Sequence, residues 1–323
     1  MEIARISKEQ KDYKNLSETN LDWNVDERPL FLQVEDEVNG IPYYDAINSH
    51  KMIVREDNEA SLGVVGAGYE IIQNSAIWEA FNESLAGIDY KITNAGHLKG
   101  GGKIFIQAEV GDNFRINDDK FEGYITMWSS HNGSSSMVLG DTLERVWCSN
   151  TFSSSLSGKN SMLRMRVRHT KNASIKFDSM MNDLDKIFTH RKEAFANIER
   201  LANMPISDDD ARLFSLGFIN SPKTRGMNTA ETIHGLFRCG IGNIGETKYD
   251  LFNGFTEYYT HGNNPSEMSE SRKNDQFGSS ELGHGAKAKV KVLKTLSNPE
   301  LTKTMINKGR KVLKDAEALA VKI

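Results

Sequence analysis

Residues 121–139 read FEGYITMWSSHNGSSSMVL. Two runs, Phe121–His131 and Ser134–Leu139, flank Asn132-Gly133. Asn-Gly is the strongest two-residue hairpin signal, because both turn residues take φ > 0. The stretch predicts two antiparallel strands joined at that dipeptide. Upstream, Lys103–Val110 alternates, with Ile104, Ile106, Ala108 and Val110 on one side of a strand. Downstream, Leu143–Cys148 and Met162–His169 read as further strands. Pro29–Val34, Lys51–Arg55 and Leu62–Val65 add short strands near the start, separated by Gly and Asn turns. A single helix interrupts them: Asn74 can cap a segment carrying Ile77, Trp78, Phe81 and Leu85 on one face, ended by Gly87.

After Asn172 the period changes from two to 3.6. Ile175, Met181, Leu184, Ile187, Phe188, Phe195, Ile198 and Leu201 fit one long amphipathic helix. Further helices are expected at 208–218, 228–238, 249–261 and 299–320, the last opened by Asn298-Pro299. Strands followed by helices make an α+β fold: a central, mostly antiparallel sheet with packed helices, then a helix-rich C-terminal part. The expected divisions are a polar, loosely held segment at 1–26, an α+β core at 27–205 and a helical region at 206–323.

Of the 323 residues, 38% are hydrophobic and 26% charged, a globular and not a disordered composition. The opening MEIARISKEQKDYKN has no apolar run of the secretory kind, and no stretch is long enough to span a bilayer. Two cysteines, Cys148 and Cys239, cannot form a disulfide framework and suggest a reducing compartment. The expectation is a cytoplasmic protein without a membrane partner.

Several motifs imitate chemistry. Lys99-Gly100-Gly101-Gly102-Lys103 resembles a phosphate loop. However, Gly96 stands one residue too early, Ile104 replaces the Ser/Thr, and a strand follows where a helix is needed. Gly240-Ile241-Gly242-Asn243-Ile244-Gly245 matches the dinucleotide fingerprint, but a helix precedes it instead of a strand. The eight histidines form no metal-binding helical pair, and neither cysteine sits in a CxxC. Ser134-Ser135-Ser136 lacks a nucleophile elbow and reads as a polar strand edge. Glu109, Asp112, Asp118 and Asp119 could serve a nuclease, but the last three fall in a turn where acids are usual. No cofactor and no metal are expected.

The distinctive feature is Leu163-Arg164-Met165-Arg166-Val167-Arg168-His169. In a strand, Leu163, Met165 and Val167 face one way and Arg164, Arg166 and Arg168 the other. From Lys159 to Lys176 there are six Lys/Arg (also Lys171) and no acid. Such a row has a spacing of about 7 Å, close to the phosphate repeat of an extended nucleic-acid strand, and Arg forks bind oxygen pairs. Trp128 and Trp147 on nearby strands would stack bases. The competing reading is a solvated face whose arginines pair with Glu109 or Glu144. The basic C-terminal segment, with Lys287, Lys289, Lys291, Lys303, Lys308, Lys311 and Lys314, reads as an accessory.

Several segments occur in a familiar order: Val65-Gly66-Ala67-Gly68-Tyr69; Gly96-His97-Leu98-Lys99-Gly100-Gly101; Ser130-His131-Asn132-Gly133-Ser134; Arg145-Val146-Trp147-Cys148-Ser149-Asn150-Thr151; Arg168-His169-Thr170-Lys171-Asn172-Ala173; and Tyr249-Asp250-Leu251-Phe252-Asn253-Gly254-Phe255. Together they resemble the phage/plasmid-like protein family, a domain of unknown function (932), from about Gly63 to about Lys294. The resemblance implies a mobile element in a bacterial host and a link to DNA replication or recombination. It carries no catalytic residues to transfer. The leading expectation is a non-enzymatic binder of single-stranded DNA that forms homo-oligomers. Its contacts would be Arg145, Lys159, Arg164, Arg166, Arg168, His169, Lys171, Trp128 and Trp147. The alternatives are a metal-dependent nuclease or other DNA-processing enzyme, and an interaction protein with no nucleic-acid role.

Overall fold

The structure is a computed structural model that describes residues 12–35, 40–117, 119–145, 150–152, 165–181, 184–261, 279–280 and 283–320. It is an α+β fold with two antiparallel sheets and a helix-rich C-terminal part. The first sheet has the order β1 (Val25–Glu35), β2 (Pro42–Arg55), β3 (Ser61–Gly66). The expected runs fall inside these strands, but β2 starts well before Lys51. Its outer part is exposed on both faces, so no inward apolar stripe marks it in sequence. Ahead of β1, Leu21 and Trp23 are buried, so this part of the polar N-terminal stretch is packed down.

The second sheet runs β4 (Tyr90–Leu98), β5 (Lys103–Ile116), β6 (Asp119–Ser130), β7 (Met137–Arg145), β8 (Asn150–Phe152), with β9 (Met165–Val167) also paired to β7. Ile104, Ile106, Ala108 and Val110 are buried, as the alternation requires. Asn132-Gly133 lies in the connection between neighbouring β6 and β7, but the two-residue turn is not formed. The strands stop at Ser130 and resume at Met137, and only Gly133 has a positive φ (+68°). The Asn132 side chain explains the wider loop: its Oδ1 accepts the Ser134 N–H (3.0 Å) and the Ser130 hydroxyl (3.2 Å), closing a local turn of its own. The serine run therefore sits in this loop and not on a strand edge. The Asp112–Asp119 turn also contracts, because Asp112 lies within β5 and Asp119 opens β6.

The helices are α1 (Asn74–Ser84), α2 (Ala173–Met181), α3 (Leu184–Ala202), α4 (Asp208–Ile219), α5 (Thr224–Cys239), α6 (Lys248–His261), α7 (His284–Leu296) and α8 (Pro299–Ala320). The long helix expected after Asn172 is α2 followed by α3. Ile175 is 67% exposed, because the buried stripe of α2 is Ala173, Phe177 and Met180. The helix start read at Asn298 is a cap, and Ser207 adds one that the sequence reading did not mark. Ser207 accepts the Asp210 N–H at the start of α4, and Asn298 Oδ1 accepts from Glu300 and Leu301 at the start of α8.

The chain forms two compact units interleaved in sequence. The first comprises 1–111, 124–140 and 164–185; Ile77, Phe81, Leu85, Ile92, Ile106, Ile125 and Leu139 are among its buried residues. The second comprises 112–123, 141–163 and 186–323. Its core joins Phe121 and Leu143 to Phe195, Phe214, Phe237, Phe255, Val292 and Leu296. A fully buried ion pair, Arg191 with Asp141, lies in this second unit, with Gly123 against the guanidinium. At the α4–α8 crossing a Cβ on Gly217 would collide with the Met305 carbonyl, and one on Gly309 with the Leu213 carbonyl.

Candidate nucleic-acid interface

The basic strand is short but has the expected polarity. β9 runs antiparallel to β7, with Val167 opposite Met137 and Arg166 opposite Val138. Val167 is buried, and Arg166 and Arg168 on either side of it are exposed. Period two places both guanidinium groups on the same side, about 7 Å apart at their Cα atoms. The chain then turns into α2. Thr170, Lys176, Ser179 and Met180 join Arg166, Val167 and Arg168 around a cleft of about 680 Å³. No acid lines it. Among the described residues no ion pair ties Arg166 or Arg168 to a carboxylate. Glu109 lies on β5 opposite Lys91 of β4, and Glu144 on β7 opposite Thr151 of β8, so neither faces β9 across a strand pair. Lys171 is exposed in the turn beside the cleft.

A buried polar hub sets this edge. His169 stacks on Tyr69 with ring centroids 4.7 Å apart, and its Nδ1 lies 3.1 Å from the Glu70 carbonyl. The Glu70 N–H donates to the His169 carbonyl, and the Tyr69 hydroxyl donates to the Ser130 carbonyl. The Glu70 carboxylate accepts the Ala173 N–H at the first turn of α2 (3.1 Å); that bond, with favourable help from Ser174, holds its pKa below the usual range. Glu70 thereby fixes where α2 starts relative to β9. Nearby, the Asn74 amide donates to the Leu21 and Trp23 carbonyls, both at 3.0 Å, which leaves its oxygen to accept from His131 Nε2 at 2.8 Å. Asn74 is thus the first residue of α1 and not its cap. The His131 N–H donates to the Gly102 carbonyl. Burial, and then the neighbouring His169, push the His131 pKa down to about 3, so the ring stays neutral. Burial likewise lowers His169. Arg55 forks onto Asp57 and lies over Trp23 at 4.1 Å.

The expected contact residues divide. Arg166, Arg168 and Lys171 are exposed at or beside the cleft, and Lys176, noted only as flanking the row, lines it. His169 is buried and structural. Trp128 is 2% exposed and packs on Phe105 at 5.2 Å, so it offers no stacking surface. Arg145 ends β7, its backbone paired with Asn150. Lys159, Arg164 and Trp147 lie outside the described residues. Asn74, Tyr69, Glu70 and Arg55 did not emerge from sequence as functional or positioning residues. Of these, Tyr69 alone stood in one of the segments that carry the resemblance, Val65–Tyr69.

The two glycine motifs lie in connections between elements. Lys99–Gly101 is a single 3₁₀ turn running into β5, and Gly240–Gly245 connects α5 to α6. A second cleft of about 370 Å³ includes Asp119 and Asp250. Asp119 accepts the Tyr249 hydroxyl (2.7 Å), and Asp250 accepts the Glu246 and Thr247 N–H groups, so both carboxylates are engaged in the fold. Among the described residues no group of three or more His, Cys, Asp or Glu is placed to hold a metal ion, and no helix is long and apolar enough to cross a membrane.

Residues 61–287, well over half of the chain, match the family described as Domain of unknown function (DUF932). The chain belongs to this family. The DUF932 match begins with β3 and ends inside α7, so it contains the hub and the basic cleft but not β1, β2 or α8. No curated protein and no solved structure matches the chain.

Proposed function

We propose that this DUF932 protein binds nucleic acid, with single-stranded DNA as the preferred ligand, through the β9–α2 cleft. One observation carries the reading. Among the described residues, Arg166, Arg168 and Lys176 line one concave surface with two hydroxyl residues and no acid, and the arginines have no carboxylate partner. Cations left unpaired on a concave surface suit a polyanion, and Arg forks suit phosphate oxygens. With Trp128 buried, Arg166, Arg168 and Lys176 are expected to carry affinity through phosphate contacts. The setting of replication or recombination, on a phage or plasmid, belongs to the same proposal.

A salt titration with single- and double-stranded oligonucleotides tests it. On a single strand, log K falls with log salt at a slope of about −0.7 per phosphate contacted. Replacing Arg166 and Arg168 by Ala should make the slope shallower by about 1.4, two contacts at that value. An unchanged affinity and slope in the folded variant would leave the arginines as a solvated face.

A further inference from the structure

The β1–β2 hairpin projects beyond β3. In its outer part Phe31 pairs with Ala46, Gln33 with Tyr44 and Glu35 with Pro42 on one face; Leu32 pairs with Asp45 and Val34 with Tyr43 on the other. Both faces are in solvent. Phe31, Leu32, Ile41, Tyr43 and Tyr44 are all between 54% and 68% exposed. A two-stranded ribbon with no covered face is marginal by itself, and exposed apolar side chains gathered in one place mark contact surfaces. β1 is also a sheet edge.

The charge of this arm indicates what covers it. From Asp26 to Asp45 the acids are Asp26, Glu27, Glu35, Asp36, Glu37 and Asp45, against the single base Arg28. The β9–α2 cleft is its complement. Among the described residues it carries Arg166, Arg168 and Lys176 with no acid, beside apolar Val167 and Met180. A cleft of about 680 Å³ is of the size that accepts a small-molecule-sized group, and one or two arm side chains are of that order. Within one chain the two surfaces are both exposed, so they do not cover each other.

We propose that the arm of one copy docks into the β9–α2 cleft of a second copy by one face of its ribbon, either Tyr43 with Asp45 or Tyr44 with Glu35, the tyrosine entering the cleft and the acid facing Arg166 and Arg168. The contact is heterologous. Each copy offers one arm and one cleft, so copies join head to tail into a ring or a chain. The proposal rests on the charge and shape of the cleft and not on its ligand, so the two readings of the cleft stand or fall separately.

The test is sedimentation velocity on the full chain over a concentration series, with no nucleic acid present. The wild type is expected to associate, less so as salt screens the ion pairs. Tyr43→Ser with Tyr44→Ser, and separately Arg166→Glu with Arg168→Glu, should each weaken association by at least about tenfold. An equimolar mixture of the two variants should restore a one-to-one complex and nothing larger, because one sound arm meets one sound cleft. If circular dichroism shows the tyrosine variant unfolded, Glu35→Arg with Asp45→Arg takes its place. A wild type monomeric at every concentration overturns the proposal. A variant that associates like wild type overturns it too. A mixture that stays monomeric does so as well, and would point to arm-on-arm or other contacts.

Discussion

At the scale of single residues, the buried polar groups dominate. His131 donates through Nε2 to Asn74 and is held neutral, with its pKa near 3 against about 6.5 in an unfolded chain. Between those values the unfolded state binds the proton and the folded state does not. Stability is therefore full above about pH 6.5 and falls as the pH drops toward 3. For His131 alone the loss from pH 6.5 to 5 is on the order of 2 kcal/mol. Denaturant midpoints read by tryptophan fluorescence should fall over that range, and the fall should be smaller in His131→Gln. Equal pH dependence in the two proteins would remove His131 as the cause. Arg191 and Asp141, both fully buried, make a second case. Asp141→Ala should cost about 3–5 kcal/mol by stranding the guanidinium, whereas an apolar pair replacing both residues should be nearly neutral. Neither arrangement was legible beforehand, because the partners lie 57 and 50 residues apart and no local pattern links them. The Arg166–Val167–Arg168 polarity was legible, because alternation is local. The Trp128 reading failed for a different reason: β6 is buried at every position from Tyr124 to Ser130, so period two does not tell an inner face from an outer one there.

At the scale of elements, β9 separates stability from binding. Arg166 and Arg168 are exposed, so replacing both by Ala should change stability by no more than about 0.5 kcal/mol. Val167 is buried against β7, and Val167→Asp should destabilise by several times that amount by placing an unpaired charge in the sheet. Thermal melts of the two variants beside their binding isotherms decide the matter. An arginine variant that melts with the valine variant would make the arginines structural and remove the main support for the binding proposal. The sequence signals that succeeded share a property: β5, α4 and α8 each have one covered face or a cap within a few residues. Those that failed lacked it. The outer part of β2 has no covered face, and α7 misleads outright. Its Lys287, Lys289 and Lys291 alternate like a strand, yet the segment is helical, and Lys289 turns inward with its ammonium on Ser280 (2.6 Å) and Thr260 (3.0 Å). Lysine is rarely buried, so a buried one with hydroxyl partners hides the helical period in the sequence.

At the scale of the whole chain, the interleaving of the two units decides which pieces can be removed. The basic C-terminal segment reads in sequence as an accessory, but α7 is part of the second unit's core. Val292, Leu293 and Leu296 pack in the same cluster as Phe214, Phe237 and Phe255. Each such side chain contributes about 1.5–3 kcal/mol, and three together rival the 5–15 kcal/mol that stabilises an ordinary domain. The Lys248 ammonium also holds the last carbonyl of α7, at Leu296, and α8 crosses α4 at the glycine contacts. Deleting 286–323 should therefore unfold the second unit and report nothing about binding. The informative variant keeps the backbone and changes Lys303, Lys308, Lys311 and Lys314, all outside the buried face of α8, to Gln. It should melt within about 0.5 kcal/mol of the wild type, as surface changes do. If the β9–α2 cleft carries binding, the salt slope for single strands should change by less than about 0.7, one phosphate contact. A folded quadruple variant that no longer binds would move the nucleic-acid surface to α8, in the unit that does not contain the cleft.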